Sequence, residues 1–147
     1  MSVFRKSKRI KPMDAEQFAS FCASATAKDV QHEIESGAEW DGRAFISAAT
    51  SNTDPNVIWV LLRAARDTGI NLLNVRSKDS KQTALHWAAG HNDNPEITRV
   101  LVVAGANVNA RDAYGQTPLE HVESVHRMRW KDNRPEIIDI LKRAGAQ

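Results

Sequence analysis

From residue 55 onward the apolar residues recur at helical spacing, and each run begins at a proline. Asp54-Pro55-Asn56, Asn94-Pro95-Glu96 and Arg134-Pro135-Glu136 lead into Val57, Val60, Leu61 and Ala64, then Ile97, Val100, Leu101 and Ala104, then Ile137, Ile140, Leu141 and Ala144. Each set falls at i, i+3, i+4 and i+7, which predicts one buried stripe per helix. Proline is harmless at the first helical position because its missing N–H would have had no intrahelical partner, and Asp54 and Asn94 are good caps before it. Gly105 and Gly145 follow as left-handed stops, with Gly69 in the same role after a more ragged end at Asp67-Thr68.

A second type of helix start alternates with these. Thr117-Pro118-Leu119-Glu120 combines a capping hydroxyl, a first-position proline and a glutamate able to close a capping box. Thr83-Ala84-Leu85-His86 repeats the phrase with alanine in place of proline, a small loss because alanine is a strong helix former. Thr83 and Thr117 are 34 residues apart. A period of that size predicts helix pairs stacked side by side, none able to bury its apolar face alone. Ala15 to Ala25, carrying Phe18, Ala19, Phe21 and Cys22, and Asp29 to Ser36, ended by Gly37, read as a degenerate first pair. Its exit, Gly37-Ala38-Glu39-Trp40-Asp41-Gly42-Arg43, aligns with Gly105-Ala106-Asn107-Val108-Asn109-Ala110-Arg111, so Trp40 falls where Val108 faces the seam between units.

Charge changes this picture at one end only. The formal net charge is +2, yet Arg5, Lys6, Lys8, Arg9 and Lys11 supply five of the 20 basic residues, leaving 15 against 18 acidic ones and about −3 for the remainder. Residues 1–13 therefore read as a basic, solvated and flexible lead-in, of a kind that can touch nucleic acid or an anionic surface. No run of 18 apolar residues predicts a membrane helix, and no apolar segment follows the basic one as in a secretory signal. The single Cys22 leaves no intramolecular disulfide and no cysteine zinc cluster, which is compatible with the reducing cytoplasm.

The phrases Thr83–Ala89 and Gly105–Leu119 resemble the ankyrin repeat family, with weaker copies carrying the likeness over residues 14–146. The resemblance implies an all-α repeat solenoid of ankyrin-type helix-turn-helix units with short hairpin connections, in four units over 14–43, 44–76, 77–111 and 112–147. It also implies that the His86 imidazole ties its helix start to the adjoining turn. This chain departs from the family in three places. Little sequence remains for a hairpin before Ala44, Ser77-Lys78-Asp79-Ser80-Lys81 replaces Asp-x-x-Gly, and roughly seven extra residues lie around Val125 to Asn133. Insertions in solenoids project from one edge.

Catalytic and metal chemistry finds little purchase. His86 and His91 are five apart, as are His121 and His126, and neither pair has the i, i+4 spacing of a helical zinc site. Gly105-Ala106-Asn107 follows a helix and so cannot offer a helix N-terminus to phosphate. No serine has a His–Asp partner legible in sequence. The resemblance implies a non-catalytic, cofactor-free module that binds another protein, occluding or scaffolding it, through a concave face of hairpin tips and first helices. Carried onto this chain, that face comprises Lys78, Asp79 and Lys81, then Ala113, Tyr114 and Gln116, with helix ends at Thr50, Ser51, Gly90, His91, Ser124 and Val125. Tyr114 is the strongest anchor on chemical grounds, since a tyrosine offers a rigid apolar face and a hydroxyl at low entropic cost. Trp130, among Arg127, Arg129, Lys131 and Arg134, is the second, either contacting a partner or capping the last helix pair. The same insertion with the basic lead-in supports an alternative, binding of nucleic acid or an anionic surface. Trp59 and Trp87 read as packing residues.

Overall fold

The computed structural model describes residues 11–125 and 133–147. Its helices are α1 (Ala15–Cys22), α2 (Ala27–Glu35), α3 (Gly42–Ser51), α4 (Pro55–Thr68), α5 (Ala84–His91), α6 (Pro95–Val103), α7 (Pro118–Val125) and α8 (Arg134–Arg143), with a 3₁₀ turn at Leu72–Asn74. Among the described residues there is no β-strand. Helices α1, α3, α5 and α7 pack in one rank, α2, α4, α6 and α8 in another, and the pairs α3–α4, α5–α6 and α7–α8 join the two ranks. One continuous apolar core runs the length of the stack, from Met13, Phe18 and Phe21 through Phe45, Leu61 and Leu85 to Leu101, Val122 and Leu141.

The helix ends follow the sequence signals. Asp54 Oδ1 accepts the Asn56 N–H and Asn94 Oδ1 that of Glu96, each just before its proline. At the other end, Gly37, Gly69, Gly105 and Gly145 all have positive φ. The residue after each returns its N–H to a carbonyl five back, as from Ala38 to Glu33, Ile70 to Ala65, Ala106 to Leu101 and Ala146 to Leu141. This is the Schellman closure that glycine permits without steric cost.

The stripes sit slightly off the predicted face. Val57, Leu61, Ile97, Leu101, Ile137, Ile140 and Leu141 are buried, but Val60, Ala64, Val100 and Ala104 are half-buried and Ala144 is exposed. Ile58 and Thr98 are fully buried in their stead. Helices α4, α6 and α8 each touch their own first helix and also the neighbouring second helices, so the buried arc is wider than one stripe and rotated toward the i+1 position. Beside Phe45 and Leu85, helices α3 and α5 bury small residues, Ala44, Ala48, Ala49, Ala84, Ala88, Ala89 and Gly90. A methyl at Gly90 would lie 2.7 Å from the His121 ring, so glycine is what lets α5 and α7 approach. The sparse junction before Ala44 has a similar cause. Helix α3 starts at Gly42, and a Cβ there would meet Val75 Cγ1 at 2.2 Å, so Val75 occupies the space between the turn and the helix.

Polar side chains fasten the units together where the first helices end. Asn52 donates to the carbonyls of Cys22 (3.0 Å) and Ala25 (2.8 Å) in the preceding unit. Asn92 does the same to Ala49 and Asn52, both at 2.8 Å. Their oxygens accept the N–H groups of Asp54 and Asn94. Asn133, one position later in its own unit, donates to the Asp93 carbonyl. Asn92→Ala should orphan two carbonyls and one N–H and cost about 3 kcal/mol of stability. Thermal unfolding checks this, with a fall in midpoint on the order of 10 °C expected and no shift for Asn56→Ala at the exposed start of α4.

Candidate functional site

Two fingers precede α5 and α7, made by different chemistry at nearly the same geometry. In the second, Asp112 N–H donates to the Gln116 carbonyl (3.0 Å), while Asp112 Oδ1 accepts the N–H groups of Tyr114 and Gln116, both at 2.9 Å. Gly115 takes positive φ at the turn. In the first, Ser77 N–H donates to the Gln82 carbonyl (2.9 Å), and Ser77 Oγ receives the Gln82 N–H (3.0 Å). Lys81 holds the place of Gly115 with φ 54°, the one non-glycine among the described residues in that region. The missing Asp-x-x-Gly is thus replaced by a serine closure and a left-handed lysine, with the same direction of exit into the helix.

The fingers touch. Ala113 N–H donates to the Ser80 carbonyl (2.8 Å), and the Arg76 guanidinium bridges the carbonyls of Lys81 (3.0 Å) and Arg111 (2.5 Å). Beneath them, the Gln82 amide nitrogen donates to Asp112 Oδ2 and to His121 Nδ1, each at 3.1 Å. Burial pushes the Asp112 carboxyl up, but hydrogen bonds from the Gln116 N–H, the Gln82 amide and the Tyr114 N–H outweigh it and hold the group below the ordinary carboxylate range. His86 plays the structural part implied for it. Its Nδ1 accepts the Thr83 N–H (3.2 Å), and its Nε2 lies 2.8 Å from the Gln116 carbonyl. Nε2 must therefore carry the proton, leaving Nδ1 free to accept. Glu120 fills the equivalent position in α7 and closes a capping box, receiving the Thr117 N–H at 3.0 Å while Thr117 Oγ1 receives the Glu120 N–H at 3.3 Å.

The residues singled out in sequence fall into two groups. Lys78, Asp79, Lys81, Ala113 and Tyr114 are exposed on the joined finger tips, with Gln116 half-buried below. Tyr114 is 76 % exposed. His91, Ser124 and Val125 lie at the far ends of α5 and α7, separated from the tips by the length of those helices, about 12 Å at 1.5 Å per residue. His91 is half-buried, its ring 5.1 Å from that of Trp87 and 5.6 Å from that of His121. Ser124 donates to the His121 carbonyl (2.8 Å), and Val125 is half-buried. Trp87 and His91 form the only outward stripe of α5, and the shielded Trp87 Nε1 has no acceptor among the described residues. Sequence reading placed Trp87 in packing and passed over that donor, which its i, i+4 spacing to His91 signals. Thr50 bonds back to the Ile46 carbonyl at 2.7 Å. Trp130, Arg127, Arg129 and Lys131 lie outside the described residues, as does the lead-in up to residue 10. Trp59 departs from the expected packing role, being 42 % exposed at the register position that the equally exposed Arg99 holds in α6.

Among the described residues no three histidine, cysteine or acidic side chains converge as metal ligands, although the rings of His86, His91 and His121 adjoin one another. Their imidazoles are spent on backbone and side-chain hydrogen bonds or on ring packing.

Two consequences can be measured. Lys81 stores strain in a region costly to residues with a Cβ, so Lys81→Gly should raise stability by up to about 1 kcal/mol, read as a higher thermal midpoint. Burial lowers the His86 pKa from the ordinary histidine value, and the nearby Arg76 adds to the fall, against the Gln116 carbonyl and Asp112, which raise it. A depressed histidine pKa means that the unfolded chain binds the extra proton first. The stability contributed by neutral His86 is thus present above about pH 6.5 and is lost as pH drops below that value. The midpoint should fall between pH 7.5 and 5, and His86→Gln should flatten part of that slope.

A family model described as ankyrin repeats, in three copies, matches residues 45–146. That range runs from within α3 through α8 and includes both fingers and the cross-unit asparagines Asn52 and Asn92. Over well more than half of its length, therefore, the chain belongs to the ankyrin repeat family, whose repeats generally serve as protein-interaction modules.

Proposed function

We propose that the protein is a non-catalytic binding module that grips a partner protein across the joined finger tips and the outward faces of the first helices, thereby occluding or scaffolding it. The observation that carries this reading is Tyr114. Its ring is 76 % exposed and makes no ring contact with any described residue, while its backbone is held by Asp112 and the adjoining Ala113–Ser80 bond. An exposed aromatic on a fixed backbone loses little entropy when it docks, the property expected of an interface anchor. Lys78, Asp79 and Lys81 beside it supply charges of both signs for orientation. Trp87, His91, Ser124 and Val125 extend the surface toward the far helix ends.

The division into units belongs to the same reading. Helices α1 and α2 act as a degenerate fourth unit that covers the first matched repeat, with α1 packed on α3 and its end bonded by Asn52. A cytoplasmic setting is consistent with the lone thiol of Cys22, which burial pushes up to about 12 and so keeps unreactive.

The test is affinity capture from the native host followed by titration of the captured partner. Tyr114→Ala should weaken that partner by about 2 kcal/mol, some thirtyfold in Kd, with the thermal midpoint unchanged. Equal affinity for the variant and the native protein would remove the finger surface from consideration.

A further inference from the structure

The second helices carry a surface that the finger reading does not use. Helices α4, α6 and α8 share a register in which Pro55, Pro95 and Pro135 correspond, as do Leu61, Leu101 and Leu141. The water-facing position two residues beyond Val57, Ile97 and Ile137 is Trp59, Arg99 or Asp139. In α6 and α8 it bears an ion pair, Arg99 with Glu96 (3.0 Å) and Glu136 (3.4 Å), and Asp139 with Arg143 (2.8 Å). In α4 the same position bears a large aromatic, 42 % exposed. Burial within the fold does not account for a tryptophan at a place the sister helices give to solvated charge.

Trp59 lines a groove of about 370 Å³ with Leu62, Ala65, Ile70, Leu73 and Ala104, closed below by Leu72. Its size falls within the range of small ligand sites, roughly 300 to 1,000 Å³. The far wall is Ile70, itself 40 % exposed. Arg66 stands in the lining, and Arg63 lies one turn from Trp59 on the same face of α4. Arg43, Arg99, Arg111 and Arg143 each reach a carboxylate, and Arg76 is fixed on two carbonyls. Neither Arg63 nor Arg66 pairs with any described residue, although Asp67 is close in sequence. The groove thus joins an apolar, aromatic-walled slot to two guanidiniums that make no ion pair with any described residue.

We propose that this groove is a second docking surface, receiving an acidic peptide segment of a partner protein through one bulky apolar side chain laid between Trp59 and Ile70, with a carboxylate on Arg66. Charge complementarity selects the acidic segment, since a basic one would meet Arg63 and Arg66. The openness of the slot selects a peptide over a free fatty acid, whose alkyl chain would remain largely in water with both walls exposed. No residue of either finger, of α5 or of α7 lines the groove, so it stands independently of the finger surface and can be filled at the same time.

The experiment pans a random twelve-residue peptide library on phage against the immobilised full chain and measures the winning synthetic peptides by fluorescence polarisation. Enriched peptides should be acidic with a single Leu, Ile, Phe or Met. Their Kd should rise at least tenfold with Trp59→Gln, with Arg66→Glu, and with alanine at the apolar peptide position, and should be unaffected by Tyr114→Ala. Arg66 is an exposed side chain, so Arg66→Glu serves should Trp59→Gln alter folding, which circular dichroism reports. Absence of acidic, apolar-anchored winners, or winners that bind Arg66→Glu as tightly as the native protein, would overturn the proposal. So would tighter binding by decanoate than by any selected peptide. Winners lost only with Tyr114→Ala would overturn it too, while leaving the finger reading intact.

Discussion

The first helices α1 and α3 end with carbonyls that take their donors from the following unit. Asn52 reaches the ends of α1, and Asn92 reaches the end of α3 together with the Asn52 carbonyl, so each asparagine both serves and is served. Apolar burial drives the ranks together but has no direction, and small residues such as Ala48 and Ala88 would tolerate sliding. A buried amide that misses its carbonyls loses hydrogen bonds it cannot recover from water. The asparagine series therefore sets the register and spacing of the units, and the fingers inherit their positions from it. At the opposite end of α5, Gln82 and His86 repeat the principle, bonding the start of that helix to Asp112 and Gln116 in the turn before α7.

The two fingers show how much sequence change this arrangement absorbs. Asp112 and Gly115 form a turn in which one carboxylate takes two N–H groups and glycine accepts the left-handed backbone. Ser77 and Lys81 reach the same exit with a hydroxyl and a lysine forced into positive φ. The surrounding bonds, Ala113 to Ser80 and Arg76 to Lys81 and Arg111, over-determine the first finger and so can hold the strain. A turn with fewer outside ties would relax to another shape. Lys81 then projects from a fixed backbone, as does Tyr114, and the side chains at the tips vary while the frame beneath them is held.

Much of the fold was legible because its signals are local. Pro55, Pro95 and Pro135 mark helix starts through a missing donor, and Gly69, Gly105 and Gly145 mark ends through φ, neither depending on distant residues. The asparagines were missed although Asn52-Thr53-Asp54-Pro55 and Asn92-Asp93-Asn94-Pro95 spell the same phrase, since the partner carbonyls lie up to 43 residues away. The stripe on α4 was read one residue off for a related reason. Periodicity locates the centre of one buried face, while a helix touching three neighbours buries a broader arc. Trp59 was assigned to packing because an aromatic near an apolar stripe ordinarily is, and only alignment with Arg99 and Asp139 shows its position to be a solvent one. Of the candidate binding residues, exposure at the finger tips followed from turn chemistry, whereas the role of the Gln116 carbonyl as a partner of His86 depended on a contact 30 residues away.

A stack joined in this way constrains what binding can accomplish. The finger tips belong to the starts of the first helices, and the Trp59 groove to the end of α4 and the turn beyond it, on the other rank. Both are attached to one continuous core, with ranks of helices about 8 to 10 Å apart and no linker between them. Two proteins held at these places would keep a fixed separation and orientation, because the units between them cannot rotate without breaking the asparagine bonds. Such rigidity would favour scaffolding were both proposed surfaces filled, and simple occlusion were only the fingers engaged. Under that proposal, the outcome would turn on whether an acidic segment of a partner came within reach of α4, a matter of geometry set by the register of Asn52 and Asn92.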